Sequence, residues 1–252
     1  MFNIAKNTFK EIVRNRFLYL IVFFAFIFIL FSIALGRLTI GESEKVIVDF
    51  WIAMIEIFGL IGVLFVWSQL LFKEVEGKTI FLILSKPIAR KDFILGKYFW
   101  FCWVIILLFV MQSFLFFLIM LFQSIAFDPL IFISLIFTLW KLLILLAIVF
   151  FLSSFMNPML TIILSLMIYI ISHSFSLLLA MFGRISELFF MLIQWTQMLF
   201  PPFEALNTKD VIGTFEALPP LYFLSNTFYT VSYIAILLFF TVLIFSRKNF
   251  EE

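Results

Sequence analysis

The chain has 252 residues, of which 65% are hydrophobic and only 13% charged, with a formal net charge of +2 and a mean hydropathy of +1.23. Charged residues make up about a quarter of an ordinary soluble domain, so this composition excludes a water-soluble enzyme or binding module and defines an integral membrane protein. The single cysteine, Cys102, excludes a disulfide framework and a cysteine-based metal set.

In chain order, residues 1–16 come first. Wound as a helix, Phe2, Ala5, Phe9, Ile12 and Val13 share one face, and Asn3, Lys6, Asn7, Lys10 and Arg14 share the other. This pattern predicts an amphipathic helix lying along an anionic cytoplasmic leaflet; an ordinary basic flank to a first span is the plainer alternative. The apolar run that follows continues past Phe17 without a small-residue cleavage site, which makes it a retained span rather than a removable signal.

A hydrocarbon core about 30 Å thick needs roughly 20 apolar residues in a helix. Runs of that kind lie near 17–35, 51–72, 98–122, 130–152, 159–181 and 226–246. None alternates as a strand would, and a segment in lipid must satisfy its own backbone hydrogen bonds. The expected fold is therefore an all-α membrane protein: six transmembrane helices in a single domain over residues 1–252. Lys and Arg fix an orientation. With the N-terminus inside, the cytoplasmic segments hold Lys6, Lys10, Arg14, Arg16, Lys73, Lys78, Lys86, Arg90, Lys91, Lys97, Arg247 and Lys248, and the opposite side holds Arg37, Lys45, Arg184 and Lys209. That asymmetry puts both termini in the cytoplasm.

Between the second and third runs lies a cytoplasmic loop, residues 73–97. It begins inside FKEVEGKT, whose Gly77, Lys78 and Thr79 match the end of a phosphate-binding loop while Phe72 stands where its first glycine belongs. A working loop of that kind needs the first glycine, a preceding strand, a following helix and a later acidic motif for magnesium. Here Phe72 ends a membrane helix, and Glu74 and Glu76 would set carboxylates beside the phosphates, so no ATP site is expected in this chain. Gly77 instead breaks the incoming helix, Thr79 can cap a short apolar turn from Ile80 to Leu84, Pro87 forces Lys86 out of helical geometry, and Asp92 can cap the helix climbing into the third span. An apolar turn with Phe81 and Leu84 framed by charges reads as a protein-docking surface; an amphipathic turn resting on lipid is the alternative.

Three ionisable residues fall within the runs. Glu56 lies near the outer end of the second, Lys141 near the middle of the fourth, and His173 inside the fifth. Such groups face other helices or a solute pathway by default. Glu56 and Lys141 are possible pathway residues, but these placements set them about 8–9 Å apart in depth at 1.5 Å per residue, a gap that long side chains close only in part. The alternative has Lys141 snorkelling or bonding a neighbour, Glu56 at the outer interface, and His173 as a helix-packing hydrogen bonder. Residues 183–225 form the largest element outside the membrane. Within it, 185–200 is apolar but short, contains Gln194 and Gln197, and ends at Pro201 and Pro202; an interfacial or re-entrant helix is expected, since a seventh span would move Arg247 and Lys248 outside.

The run Glu74, Glu76, Gly77, Thr79, Leu84, Ser85, Pro87, Arg90, Gly96 and Lys97 resembles the signature loop of type-2 ABC transporter permeases. The layout is similar along the whole chain, with an elbow helix, six spans, the loop between the second and third, and an external helical element before the last. LFPPFEALNTKD, residues 199–210, also looks like the segment many members carry there. Lys78 between Gly77 and Thr79 is a departure. The resemblance implies a permease subunit working as a homo- or heterodimer, with export the direction it favours. ATP and magnesium would sit on a separate cytoplasmic ATPase. On that reading Ile80, Phe81 and Leu84 dock the ATPase, Glu74, Ser85 and Arg90 fix the loop, and Gly77 and Pro87 shape it. A membrane anchor recruiting a cytoplasmic partner, and a secondary transporter, are the other readings. One histidine and one cysteine on different spans assemble no metal set, His173, lipid-embedded and without a nearby acid in sequence, makes no credible serine–histidine–acid group, and the basic residues trace the inner membrane face rather than a nucleic-acid surface.

Overall fold

The computed structural model describes residues 31, 43–67, 90–182, 187–212 and 218–247. They are helical, with no strand among the described residues. The helices are α1 (Ser43–Ile61), continued by a π-helical turn at Gly62–Trp67, then α2 (Arg90–Phe122), α3 (Pro129–Ser153), α4 (Pro158–His173), α5 (Phe175–Phe182), α6 (Glu187–Leu199) and α7 (Tyr222–Arg247). Four of them are long and apolar enough to cross a membrane, and a fifth span results if α4 and α5, which meet at a 57° bend, count as one. Several such helices mark a membrane-embedded protein. Residues 1–30, where the amphipathic helix and most of the first span are expected, lie outside the described residues.

Local sequence explains the helix ends. Asp128 precedes Pro129, and its carboxylate accepts from the Leu130 amide at 2.9 Å. Asn157 precedes Pro158 and accepts from the Leu160 amide at 2.9 Å. In both, the side chain satisfies a backbone donor that the first turn leaves open, and proline stands where its missing N–H is not needed. Ser124 turns the chain between α2 and α3 with a φ of 55°. Hydroxyls inside the helices mostly bond their own backbone: Thr138 to the Ser134 carbonyl, Ser153 to Phe150 and Thr241 to Leu237. They thereby avoid exposing a polar group to lipid.

Ring contacts fix the helix directions. Trp51, midway along α1, stacks on Phe116 near the end of α2, and Phe93 at the start of α2 stacks on Phe245 at the end of α7. Tyr98, early in α2, packs edge-on against Phe150, late in α3, and its hydroxyl donates to the Leu143 carbonyl. Phe137, early in α3, stacks on Phe223 at the start of α7. Thus α1, α3 and α7 run one way and α2 the other, and the short turn at residues 154–157 sends α4 back alongside α3. The core lies around α3, which is buried along most of its length.

Several boundaries differ from the expectation. The second predicted run, placed at 51, begins at Ser43, and the third, placed at 98, begins at Arg90. Asp92 therefore sits within the first turn of α2 rather than ahead of it. Lys97, expected at the end of the loop, lies in the second turn of α2 and is buried, its ammonium 5.4 Å from the Phe93 ring centre and 5.9 Å from that of Phe101. Aromatic faces attract a cation there. The fifth run is not one straight helix: it breaks at Ser174, whose hydroxyl bonds the Ile170 carbonyl. α6 has no buried residue. At about 1.5 Å per residue its length falls well short of a bilayer core, so it does not read as a seventh span.

Candidate functional site

The described structure gathers ionisable side chains from four elements at one point. Glu56 stands thirteen residues into α1 and Lys141 twelve residues into α3, midway along it. Because α1 starts eight residues earlier than the apolar run suggested, the two lie at matching depth. The Lys141 ammonium donates to Glu56 Oε1 at 2.9 Å, and both side chains are buried, at 1% and 4% exposure. The possibility that they fall short of one another is thereby corrected. Gly59, one turn along α1 from Glu56, lets the two helices close up: a methyl group there would run into the Leu142 side chain. That close approach brings Glu56 within reach of Lys141.

Two further donors complete the carboxylate's shell. The Tyr169 hydroxyl on α4 donates to Oε1 at 2.7 Å, and the Lys209 ammonium donates to Oε2 at 2.6 Å. His173, one turn beyond Tyr169, has Nδ1 3.1 Å from the Tyr169 carbonyl. A carbonyl only accepts, so Nδ1 carries a proton. The other ring nitrogen, Nε2, lies between the Lys141 ammonium, 3.3 Å away, and Glu56 Oε1, 3.4 Å away. Phe203 closes the group from above. Fully buried, it lies 5.4 Å from the Tyr169 ring centre and 5.5 Å from that of His173.

Lys209 and Phe203 come from the segment between α6 and α7, which turns inward. Phe203 and Leu206 pack with Phe137, Ile144 and Ile148 on the middle of α3. The segment is built of turns, such as Leu206 N–H to the Pro202 carbonyl and Asn207 N–H to that of Glu204. Sequence reading placed Lys209 on the outer side. The structure brings it to a buried carboxylate, with its own side chain 19% exposed.

The site therefore holds one carboxylate against two ammonium groups, with His173 and Tyr169 as polar neighbours. Each side chain answers a neighbour's charge or lone pair, which is what a low-dielectric interior requires. Among the described residues no three His, Cys, Asp or Glu side chains converge as metal ligands. The arrangement can store charge, tie helices together and recognise charged groups; it presents no activated nucleophile. Of the loop residues, Glu74, Gly77, Thr79, Ile80, Phe81, Leu84, Ser85 and Pro87 lie outside the described residues, while Arg90 opens α2.

Fold and site together define a polytopic α-helical membrane protein with a buried, carboxylate-centred ion cluster. No protein-family model matches the chain, and no curated protein sequence matches it.

Proposed function

We propose that the chain is the permease subunit of an ATP-driven transporter of the type-2 ABC class, with six spans, an N-terminal elbow helix and both termini in the cytoplasm of a cell membrane. The observation that carries this reading is the run from Glu74 to Arg90. It resembles that family's signature and falls between the helical stretch ending at Trp67 and the helix that opens at Arg90. Support also comes from the inward-turned segment ahead of the last helix, at the place where the family carries an external element. In this proposal a separate cytoplasmic ATPase binds ATP and magnesium, its closure acts on the loop around Ile80–Leu84, and a second permease copy or paralogue completes a pathway used for export. Glu56 and Lys141 then line or brace that pathway.

The test is copurification. Phe81→Asp, which puts a charge on the docking turn, is expected to reduce recovery of the ATPase with the tagged permease at least ten-fold while permease abundance in the membrane stays the same. Undiminished ATPase recovery would remove the loop from the coupling role. A secondary transporter is the second reading, favoured by the buried Glu56 and Lys141 with half-buried His173 beside them, since ionisable groups at membrane depth serve proton and ion relays. Transport in vesicles that follows an imposed proton gradient and ignores ATP would select it.

A further inference from the structure

The inward-turned segment 201–212 is held by ties that differ in kind. Phe203 and Leu206 bury apolar surface on α3. Glu204 Oε2 accepts from the Ser176 amide at 2.9 Å, and the Ala205 carbonyl accepts from the Tyr222 hydroxyl. Lys209 reaches deepest, to Glu56. Against these ties stand two buried polar atoms, Asn207 Oδ1 and Thr208 Oγ1, which have no hydrogen-bond partner among the described residues. Each such atom destabilises the seated segment, and water would satisfy both if the segment lifted.

The ion pair is arranged so that it can break without leaving a bare buried charge. Glu56 divides its partners by oxygen. Oε1 faces Lys141, Tyr169 and His173, all in the helical bundle, while Oε2 faces Lys209. When Lys209 leaves, the carboxylate keeps Lys141 and the Tyr169 hydroxyl, and the departing ammonium, already partly exposed, passes to water. Buried pairs usually resist opening because one partner is stranded; here neither is.

We propose that segment 201–212 is a releasable plug, locked into the helical bundle by the Lys209–Glu56 ion pair and covering the Glu56–Lys141–His173 cluster. Lifting it uncovers Tyr169, His173 and the middle of α3. The lock belongs to the fold itself and operates whether or not the chain moves a solute.

Thiol accessibility in native membranes tests it on the full chain. In a Cys102→Ser background, Thr208→Cys places a reporter at a position 1% exposed in the plug, and Ala147→Cys places a control at a fully buried position on α3. A buried thiol reacts with a small water-soluble maleimide in proportion to how often its segment opens. Lys209→Gln is expected to speed reaction at position 208 by about ten-fold or more, with position 147 unchanged and Lys209→Arg close to the parent. Lys209→Met gives the same comparison should the glutamine variant fail to accumulate. An unchanged rate at 208 would overturn the lock. So would an equal rise at 147, because the ion pair would then support the whole bundle, or an equal rise in Lys209→Arg, because charge would not be what holds the plug.

Discussion

Replacing Lys141 by methionine removes the cation at the centre of the cluster. Lys141 and Glu56 are 1% and 4% exposed, and taking away one member of a buried pair destabilises by roughly 3–5 kcal/mol, since the other charge is left uncompensated. In Lys141→Met the carboxylate keeps Lys209 at 2.6 Å and Tyr169 at 2.7 Å, so the expected loss falls below that range, to about 2–3 kcal/mol. Glu56→Gln is the more damaging change. It leaves two ammonium groups facing a neutral amide, and Lys141, buried midway along α3, cannot turn to water; the full loss of about 3–5 kcal/mol is expected. The double variant removes the stranded charge as well as its partner, so the two losses do not add. A coupling of about 2 kcal/mol follows, in the upper part of the range for residues in contact. The assay is equilibrium unfolding in mixed micelles, read by the fluorescence of the six tryptophans, on wild type, both single variants and the double. Additivity within about 0.5 kcal/mol, or a Lys141→Met protein as stable as wild type, would refute a direct buried pair.

Two further variants probe how the cluster is positioned. Gly59→Val forces a branched side chain against Leu142 where α1 and α3 close up; an overpacking loss of about 1–3 kcal/mol is expected in the same unfolding assay, together with a weaker Glu56–Lys141 coupling. Asn157→Ala removes the cap from the Leu160 amide and is expected to lower stability by about 1 kcal/mol with that coupling unchanged, because the start of α4 lies far along the helix from Tyr169 and His173.

The apolar runs were legible because lipid imposes a length and a composition on any helix that crosses it. Their starts were harder to read. Residues 43–50 contain Glu44, Lys45 and Asp49, which lower local hydropathy, so hydropathy alone starts the second run at 51 and sets Glu56 near its outer end. The helix is already formed at Ser43, which sets Glu56 deeper and level with Lys141. Lys97 was miscounted for the converse reason. A charge near the end of a run looks like a flank, whereas Phe93 and Phe101, one turn to either side, give its ammonium an aromatic seat inside the helix. The break in the fifth run has no proline or glycine; its only sequence mark is the polar cluster Ser172, His173 and Ser174.

Lys209 shows what periodicity cannot reach. It lies 153 residues from Glu56 in sequence, on a segment with no regular helix long enough to have a face, and a charge-counting rule assigns it to whichever side its loop is on. A signal was nevertheless present: Phe200, Phe203, Leu206, Val211 and Ile212 are apolar residues in a stretch that two prolines keep from forming a long helix. Apolar side chains without a helix to bury them have to be buried by turning inward, and Lys209, among them, turns inward too. A cation drawn to that depth requires an anion already waiting. Glu56 is the acidic group the bundle offers there, and its second oxygen is the one that α3 and α4 leave to Lys209. The fold of the segment and the charge of the site are thus one constraint seen from two sides, which is why altering Lys209 is expected to move the segment and leave the helices in place.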